Sequence, residues 1–281
     1  MVTYNHEQFI AKALDSVLSQ EHNYSYEIIV GDDCSTDDTR NILLEYERRY
    51  PEIIRLILQP RNMGASSNSL KTLEACKGEY VALLEGDDYW NNNQKLKQQV
   101  EFLDKNTSYV LSSHRYLHYL ANEDRFNTDH EYHGLFDTYP EGVRLDHDLF
   151  FNYWFTMPLT VVFRNDVFEI GEVSIYKDFK DLHLFFCLLK KGDGFVHNFV
   201  GGVYNTHKAG VWSQLDAYGK WKANYLALHE LVANNVTHAR LRKACADCLN
   251  LLVNVFKDTY KYPYLHREMY WLMSRRLSMK K

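Results

Sequence analysis

Long apolar runs are missing from this chain: no stretch of its 281 residues approaches the ~20 needed for a helix to cross a bilayer, and its opening lacks the make-up of a secretory leader. A cytoplasmic protein is expected, with room left for contact at the inner face of a membrane. Long basic runs are missing too. With 32 Lys and Arg against 37 Asp and Glu the net charge is −5, so nucleic acid is not an expected partner. Cysteine is sparse. The five, Cys34, Cys76, Cys187, Cys245 and Cys248, form no disulfide framework, as suits a reducing compartment. Cys245 and Cys248 make one C-x-x-C in a helical stretch without a second pair, so buried thiols are preferred to a zinc or redox site. Internal repeats and low-complexity segments are also absent.

What is present is globular in character: 46% apolar and 25% charged residues, enough for one large core or a core with an appendage. Strand and helix patterns alternate over the first hundred residues. Phe9, Ile10, Ala13, Leu14, Val17 and Leu18 recur at helical spacing and predict an amphipathic helix over 6–20. Asn5 is expected to cap it with Gln8 at the capping-box position, which leaves only a strand tail at 1–4: a very short first strand, or one entered part-way. Strands are predicted at 26–31, 54–58, 80–84 and 109–113, with helices between them, one capped by Ser35. This alternation implies crossovers and a parallel sheet, where ligands collect at the carboxyl ends of the strands. Residues 114–155 show no clear period and read as a long connection shaping one side of a cleft. A strand at 160–163, a helix at 182–191, one or two strands over 195–204 and helices near 214–235, 238–258 and 264–278 complete the expectation.

Two acidic turns close apolar strands, Gly31-Asp32-Asp33 and Glu85-Gly86-Asp87-Asp88. One such turn is commonplace and solvated. Two at the same end of one parallel sheet point to a site. Three carboxylates within four positions repel one another, and a divalent cation bridging to the phosphates of a nucleotide relieves that repulsion.

Five segments, in order, carry a resemblance: M-V-T-Y-N-H-E-Q-F-I, D-D-C-S-T-D-D-T, R-N-M-G, A-L-L-E-G-D-D-Y-W and Y-N-T-H-K-A-G-V-W-S. Their order and spacing over roughly residues 1–213 resemble glycosyltransferase family 2. The resemblance implies an α/β fold of the GT-A type, a Rossmann-like, mostly parallel sheet flanked by helices, with a C-terminal helical extension. It divides the chain into a GT-A domain over 1–212 (a nucleotide-binding half, 1–106, and an acceptor-binding half, 107–212) and a helical region over 213–281. It also implies an inverting transfer of sugar from a nucleotide-sugar donor, with Mn or Mg as the divalent cation and a glycan or lipid-linked acceptor. The 15% of aromatic residues fit sugar platforms, although packing accounts for most aromatics.

Carried onto this chain, the resemblance puts Thr3 and Tyr4 in the nucleotide pocket and makes Asp33 the acceptor for a base N–H, commonly that of uracil. Asp32 would instead support the turn. Arg61 and Asn62 fall near base and diphosphate. Glu85 replaces the usual first Asp of the family's D-x-D, Gly86 makes room for the ribose, and Asp87, with Asp88 alongside, becomes the metal ligand. His207 falls near metal or diphosphate. Asp181, ahead of Asp178, is expected as the base that deprotonates the acceptor; the plainer reading is that Asp181 caps its helix. Tyr270 to Met273 beside Arg275, Arg276, Lys280 and Lys281 suggest a packing or homodimer helix before a peripheral membrane contact. The rival readings are a catalytically impaired sugar-nucleotide binder of the same fold, a sugar-phosphate nucleotidyltransferase, disfavoured because Tyr4-Asn5-His6-Glu7 replaces a glycine-rich phosphate loop, and a receiver-like domain, which is far shorter.

Overall fold

The computed structural model describes residues 1–127, 133–152 and 156–258. The helix expected at 264–278, with its basic amphipathic end, lies outside the described residues. The chain divides into two compact units, Met1–His207 and Lys208–Lys281.

In the first unit a parallel three-stranded sheet runs β1 (Val2–Thr3), β2 (Ile28–Asp32), β3 (Ile54–Leu58), with Thr3 opposite Asp32 and Ile28 opposite Ile54. All five residues of β2 are buried, as a continuous apolar run covered on both faces requires. Between these strands lie α1 (Ile10–Leu18) and α2 (Thr39–Arg49), and α3 (Ala65–Glu74) follows β3. Ile10, Ala13, Leu14 and Val17 form the buried face of α1 and share a core with Ile28, Val30, Leu43 and Ile54.

The helix of α1 begins at Ile10, later than expected. Residues 6–9 form a turn in which the N–H groups of Phe9 and Ile10 both donate to the His6 carbonyl. Asn5 does not cap this helix. It has φ of 55°, and its Oδ1 accepts from the Thr36 N–H instead. Ser35 does not cap α2 either; its hydroxyl binds Asp32.

A second sheet has the order β4 (Tyr80–Ala82), β9 (Val162–Arg164), β6 (Tyr109–Leu120), β10 (Asp193–Thr206), β5 (Tyr89–Trp90), with β7 (Arg125–Asn127) on β6 and β8 (Gly142–Leu145) on β10. The architecture is therefore mixed rather than mostly parallel. β6 and β10 are parallel, whereas β4 runs antiparallel to β9. Local spacing misses this because the partner of β4 comes some eighty residues later. One parallel bridge, Val2 to Glu85, joins the first sheet to the acidic turn.

The described residues within 114–155 are not one long connection. β6 continues unbroken to Leu120, β7 pairs back on it, and α5 (His133–Thr138), β8 and α6 (His147–Asn152) follow. The His- and Tyr-rich stretch 114–119 is good strand material on a half-buried surface, and β10 pairs along the length of β6. α4 (Lys95–Lys105) lies between β5 and β6, and after β9, α7 (Ile170–Val173) leads to α8 (Asp181–Leu189), in which every residue from Leu182 to Leu189 is buried. A helix buried on all sides is an interior helix, and the half-buried Asp181 opens its first turn.

In the second unit, Asp216 accepts from the Gly219 N–H at 2.7 Å and caps α9 (Ala217–Asn234). α9 packs on α10 (Ala239–Asp258), whose Leu241, Cys245, Cys248, Leu249 and Leu252 are buried along one stripe. Burial pushes both thiols up to about 12, which keeps them protonated and unreactive. Among the described residues no helix is long and apolar enough to cross a membrane.

Candidate active site

The site is built around the end of β1. Thr3 is buried; its carbonyl accepts from the Asp33 N–H at 3.0 Å, and the next residue but one starts a loop locked onto the 35–39 turn. There the Asn5 N–H donates to Ser35 Oγ (2.9 Å), the His6 N–H to Thr39 Oγ1 (2.8 Å) and the Glu7 N–H to Asp37 Oδ2 (3.0 Å). Glu7 Oε2 in turn accepts from the Asp38 N–H at 2.9 Å. Asp32 supports this turn from beneath: fully buried, it accepts from Ser35 and from Arg40 Nε at 2.5 Å.

The acidic turn packs directly on β1. The Gly86 N–H donates to the Val2 carbonyl at 2.9 Å. A Cβ on Gly86 would stand 2.6 Å from Thr3 Oγ1, 2.8 Å from Thr3 Cβ and 3.0 Å from His6 Nδ1. Glycine is thus required here by the protein's own side chains, independently of any ribose.

The end of β10 closes the other side. The Asn205 N–H donates to Asp88 Oδ1 (2.8 Å) and its Nδ2 to the Asp87 carbonyl (2.5 Å), which sets His207 against the turn. His207 Nε2 lies 3.0 Å from Asp87 Oδ2, and His6 Nε2 lies 3.6 Å from the same oxygen. His207 also rests on the Phe9 ring, centroids 4.5 Å apart. His6, Asp87 and His207 each offer a donor atom within 4.8 Å of the others. Asp88 is not part of that cluster. It is buried and tethers Asn205, while among the described residues its Oδ2 lacks a partner, as does Thr3 Oγ1.

Electrostatics separate the three acids. At Asp87 burial acts to raise the pKa, but the His207 hydrogen bond and the two imidazoles outweigh it and hold the carboxyl below its ordinary value. Burial and the charges of Asp87 and Asp181 push Glu85 up to about 8. Burial, reinforced by Asp87 and Glu85, drives Asp88 well above the ordinary range. Two imidazoles and a carboxylate, next to two acids that resist ionising together, form a donor set that fits a divalent cation.

Asp181 sits in the first turn of α8 and acts electrostatically on Glu85; its Oδ1 accepts from the Leu182 N–H at 2.9 Å, and burial raises its pKa. Asp178 is exposed, with the buried Phe179 next to it. Asp33 is 3% exposed, and its Oδ1 accepts from the Met63 N–H at 2.6 Å, which ties down the 59–64 loop. Arg61, Asn62 and Tyr4 are exposed on that side, and Asn62 Oδ1 accepts from the Gly64 N–H.

The structure therefore gathers Thr3, Glu85, Gly86, Asp87 and His207 around one strand end and brings Asp181 within electrostatic reach. Sequence reasoning passed over His6 and Asn205. His6 had a usable signal: it lies just beyond the carboxyl end of the first strand, where ligands to such sheets collect. Asn205 had none, since it acts by binding a turn more than a hundred residues away.

Comparison with known proteins identifies the family and the fold. The sequence profile of Glycosyl transferase family 2 matches residues 1–176. The uncharacterized protein Rv1520 of Mycobacterium tuberculosis is 42% identical over 113 residues, 40% of this chain and 33% of that protein, so the chain spans about a third of the length of such curated relatives. Among solved structures, Staphylococcus aureus TarS in complex with UDP-GlcNAc superposes with a TM-score of 0.65 at 19% identity, over 89% of this chain and 70% of that one. The mannosyltransferase PcManGT of Pyrobaculum calidifontis, in complex with GDP-Man and Mn2+, does so with a TM-score of 0.57 at 13% identity, over 99% and 85%. At these identities the structures establish a shared GT-A fold.

Proposed function

The chain belongs to glycosyl transferase family 2, and from that premise we propose that it moves a sugar, with inversion, from a nucleoside diphosphate sugar to a hydroxyl of a glycan or lipid-linked acceptor. A UDP-sugar is the proposed donor. Residues 1–106 carry the nucleotide, and residues 107–212 form the acceptor side. One observation supports this above all: side chains from the β1 end, the 85–88 turn, the β10 end and the start of α8 converge on one place.

Asp33 Oδ2, left over once Oδ1 holds Met63, is assigned to the N3–H of the base. Thr3 lines the pocket floor beside it, while Tyr4, Arg61 and Asn62 face the nucleotide from the exposed rim. Asp87 and His207 would hold a divalent cation, which when bound would offset the charge of the departing diphosphate. Asp181 takes the proton from the acceptor hydroxyl. Its raised pKa makes it a stronger base than an ordinary aspartate, and its place at a buried helix start fixes its direction. Asp178, exposed, is the weaker candidate.

A panel of nucleotide sugars with Mn2+, read by release of the nucleoside diphosphate, tests this reading. Turnover of at least one UDP-sugar is expected. UDP binding without hydrolysis of any donor would favour the impaired sugar-nucleotide binder, and failure to bind any nucleotide would overturn the site altogether.

A further inference from the structure

We infer that His6 is a third protein ligand to the cation, so that His6, Asp87 and His207 form a two-histidine, one-carboxylate site that takes up a transition-metal ion before the nucleotide arrives and discriminates against Mg2+. This rests on the cation-assisted reading above and adds to it a metal held by the protein alone.

Three observations carry it. First, the geometry is close to that of a shell. Neighbouring ligand atoms around a four- or six-coordinate ion with bonds of about 2.0–2.1 Å stand about 2.8–3.4 Å apart. Here Asp87 Oδ2 is 3.0 Å from His207 Nε2 and 3.6 Å from His6 Nε2, and all three donors lie within 4.8 Å of one another. Small side-chain movements suffice to bring them onto one ion.

Second, His6 is held in place without help from a ligand. Its backbone N–H is fixed by Thr39, and its neighbours Asn5 and Glu7 are fixed by Ser35, Thr36, Asp37 and Asp38. Asn5 adopts a left-handed conformation to allow this path, one that few residue types tolerate. His207 is equally pinned, through Asn205 and Phe9. A preformed set of three ligands loses little freedom on binding, so no diphosphate is needed to complete it.

Third, the other nitrogen of the His6 ring has an unused acceptor nearby. Among the described residues Nδ1 is buried without a hydrogen bond, as is Thr3 Oγ1, and both border the place a Cβ on Gly86 would take. A small side-chain movement would let the Thr3 hydroxyl accept a hydrogen bond from Nδ1–H and leave Nε2 as the ligand, the usual arrangement behind a metal-bound histidine.

The selectivity follows from the donors. Imidazole nitrogen suits Mn2+, Co2+ and Zn2+ increasingly well, whereas Mg2+ requires oxygen ligands and gives up water reluctantly.

The test is titration calorimetry of the nucleotide-free protein with Mn2+, Co2+ and Mg2+, together with the visible absorption of the Co2+ form. Wild type should bind Co2+ and Mn2+ without UDP, with Mg2+ at least about tenfold weaker. His6→Ala and His6→Gln should each lose about ten- to a hundredfold in nucleotide-free Co2+ affinity and change the Co2+ spectrum, with unchanged circular dichroism. Their Mn2+ binding should become dependent on added UDP. The inference fails if wild type takes up neither ion without UDP, if both variants match wild type, or if Mg2+ matches Co2+. If Mn2+ and UDP still bind together in such a case, only the His6 ligand is lost. If they do not bind even together, the underlying cation-assisted reading falls as well.

Discussion

Replacing Gly86 with alanine tests how the site is assembled. Gly86 does not have a left-handed φ, so an alanine there meets no backbone strain of its own; the whole penalty is contact. Its Cβ would stand 2.6 Å from Thr3 Oγ1 and 2.8 Å from Thr3 Cβ. Neither side yields easily. Thr3 is paired with Asp32 and bonded to the Asp33 N–H, and the Gly86 N–H is bonded to Val2. Overpacking of this kind costs about 1–3 kcal/mol. For a unit of this size each kcal/mol lowers Tm by about 2–4 °C, so a fall of about 2–12 °C is expected. Because the same Cβ would also press on His6 Nδ1, metal affinity should fall with stability. Thermal unfolding by circular dichroism gives the first quantity and calorimetry with Mn2+ the second. Adding Thr3→Gly removes both offending atoms, so the double mutant should recover at least about 1 kcal/mol relative to additivity. A Gly86→Ala protein that melts within about 1 °C of wild type, or a strictly additive double mutant, would refute the claim that Thr3 and Gly86 are fitted to each other.

The remaining predictions follow from the same geometry. Asp87→Ala should leave the fold intact and lower donor turnover by at least about a hundredfold, measured as nucleoside diphosphate release at saturating Mn2+; an active variant would remove Asp87 from the cation site. Asp181→Asn should keep UDP binding and lose about 10²–10⁴ in transfer, whereas Asp178→Asn, at an exposed position, should stay close to wild type; the reverse order would move the base to Asp178. Since burial raises Asp181, the acid limb of kcat/KM should lie above the ordinary aspartate range, and a limb at or below it would count against that base. Lys95 is wholly buried, with Nζ 3.7 Å over the Trp90 ring, no hydrogen-bond partner among the described residues, and a pKa that burial holds well below its usual value. Between the folded and unfolded pKa values the unfolded chain binds the extra proton, so this group makes stability rise with pH up to the unfolded value. Lys95→Met should flatten that slope and stabilise the protein by about 1–3 kcal/mol near neutrality, as read by urea unfolding at several pH values.

Legibility in the sequence divides by range. The apolar periodicity of α1, the buried run of β2 and the spacing of acidic turns after strands are local, and each led to the right element within a few residues. Chain reversals and caps were harder. Asn5 and Ser35 looked like helix caps, yet both serve the contact between two loops some thirty residues apart. The polar stretch after Ser113 looked irregular because its strand character is supplied by pairing with β10, not by its own alternation. At the site, Asp87 and His207 stood out by their motifs. His6 stood in an identified segment without a role, and Asp88 proved to be a tether for Asn205.

The sequence by itself determined the kind of chemistry at hand, because carboxylates at strand ends and a five-part pattern of motifs are written in adjacent residues. It also determined most of the helices, whose burial faces repeat within a few positions. The tertiary structure alone decided which donors meet. Strand pairing over long separations sets β1 against the 85–88 turn and the end of β10 against both, so His6, Asp87 and His207, far apart along the chain, share one oxygen's surroundings. Pairing energy belongs to partners rather than to positions, and no stretch of sequence read alone contains it.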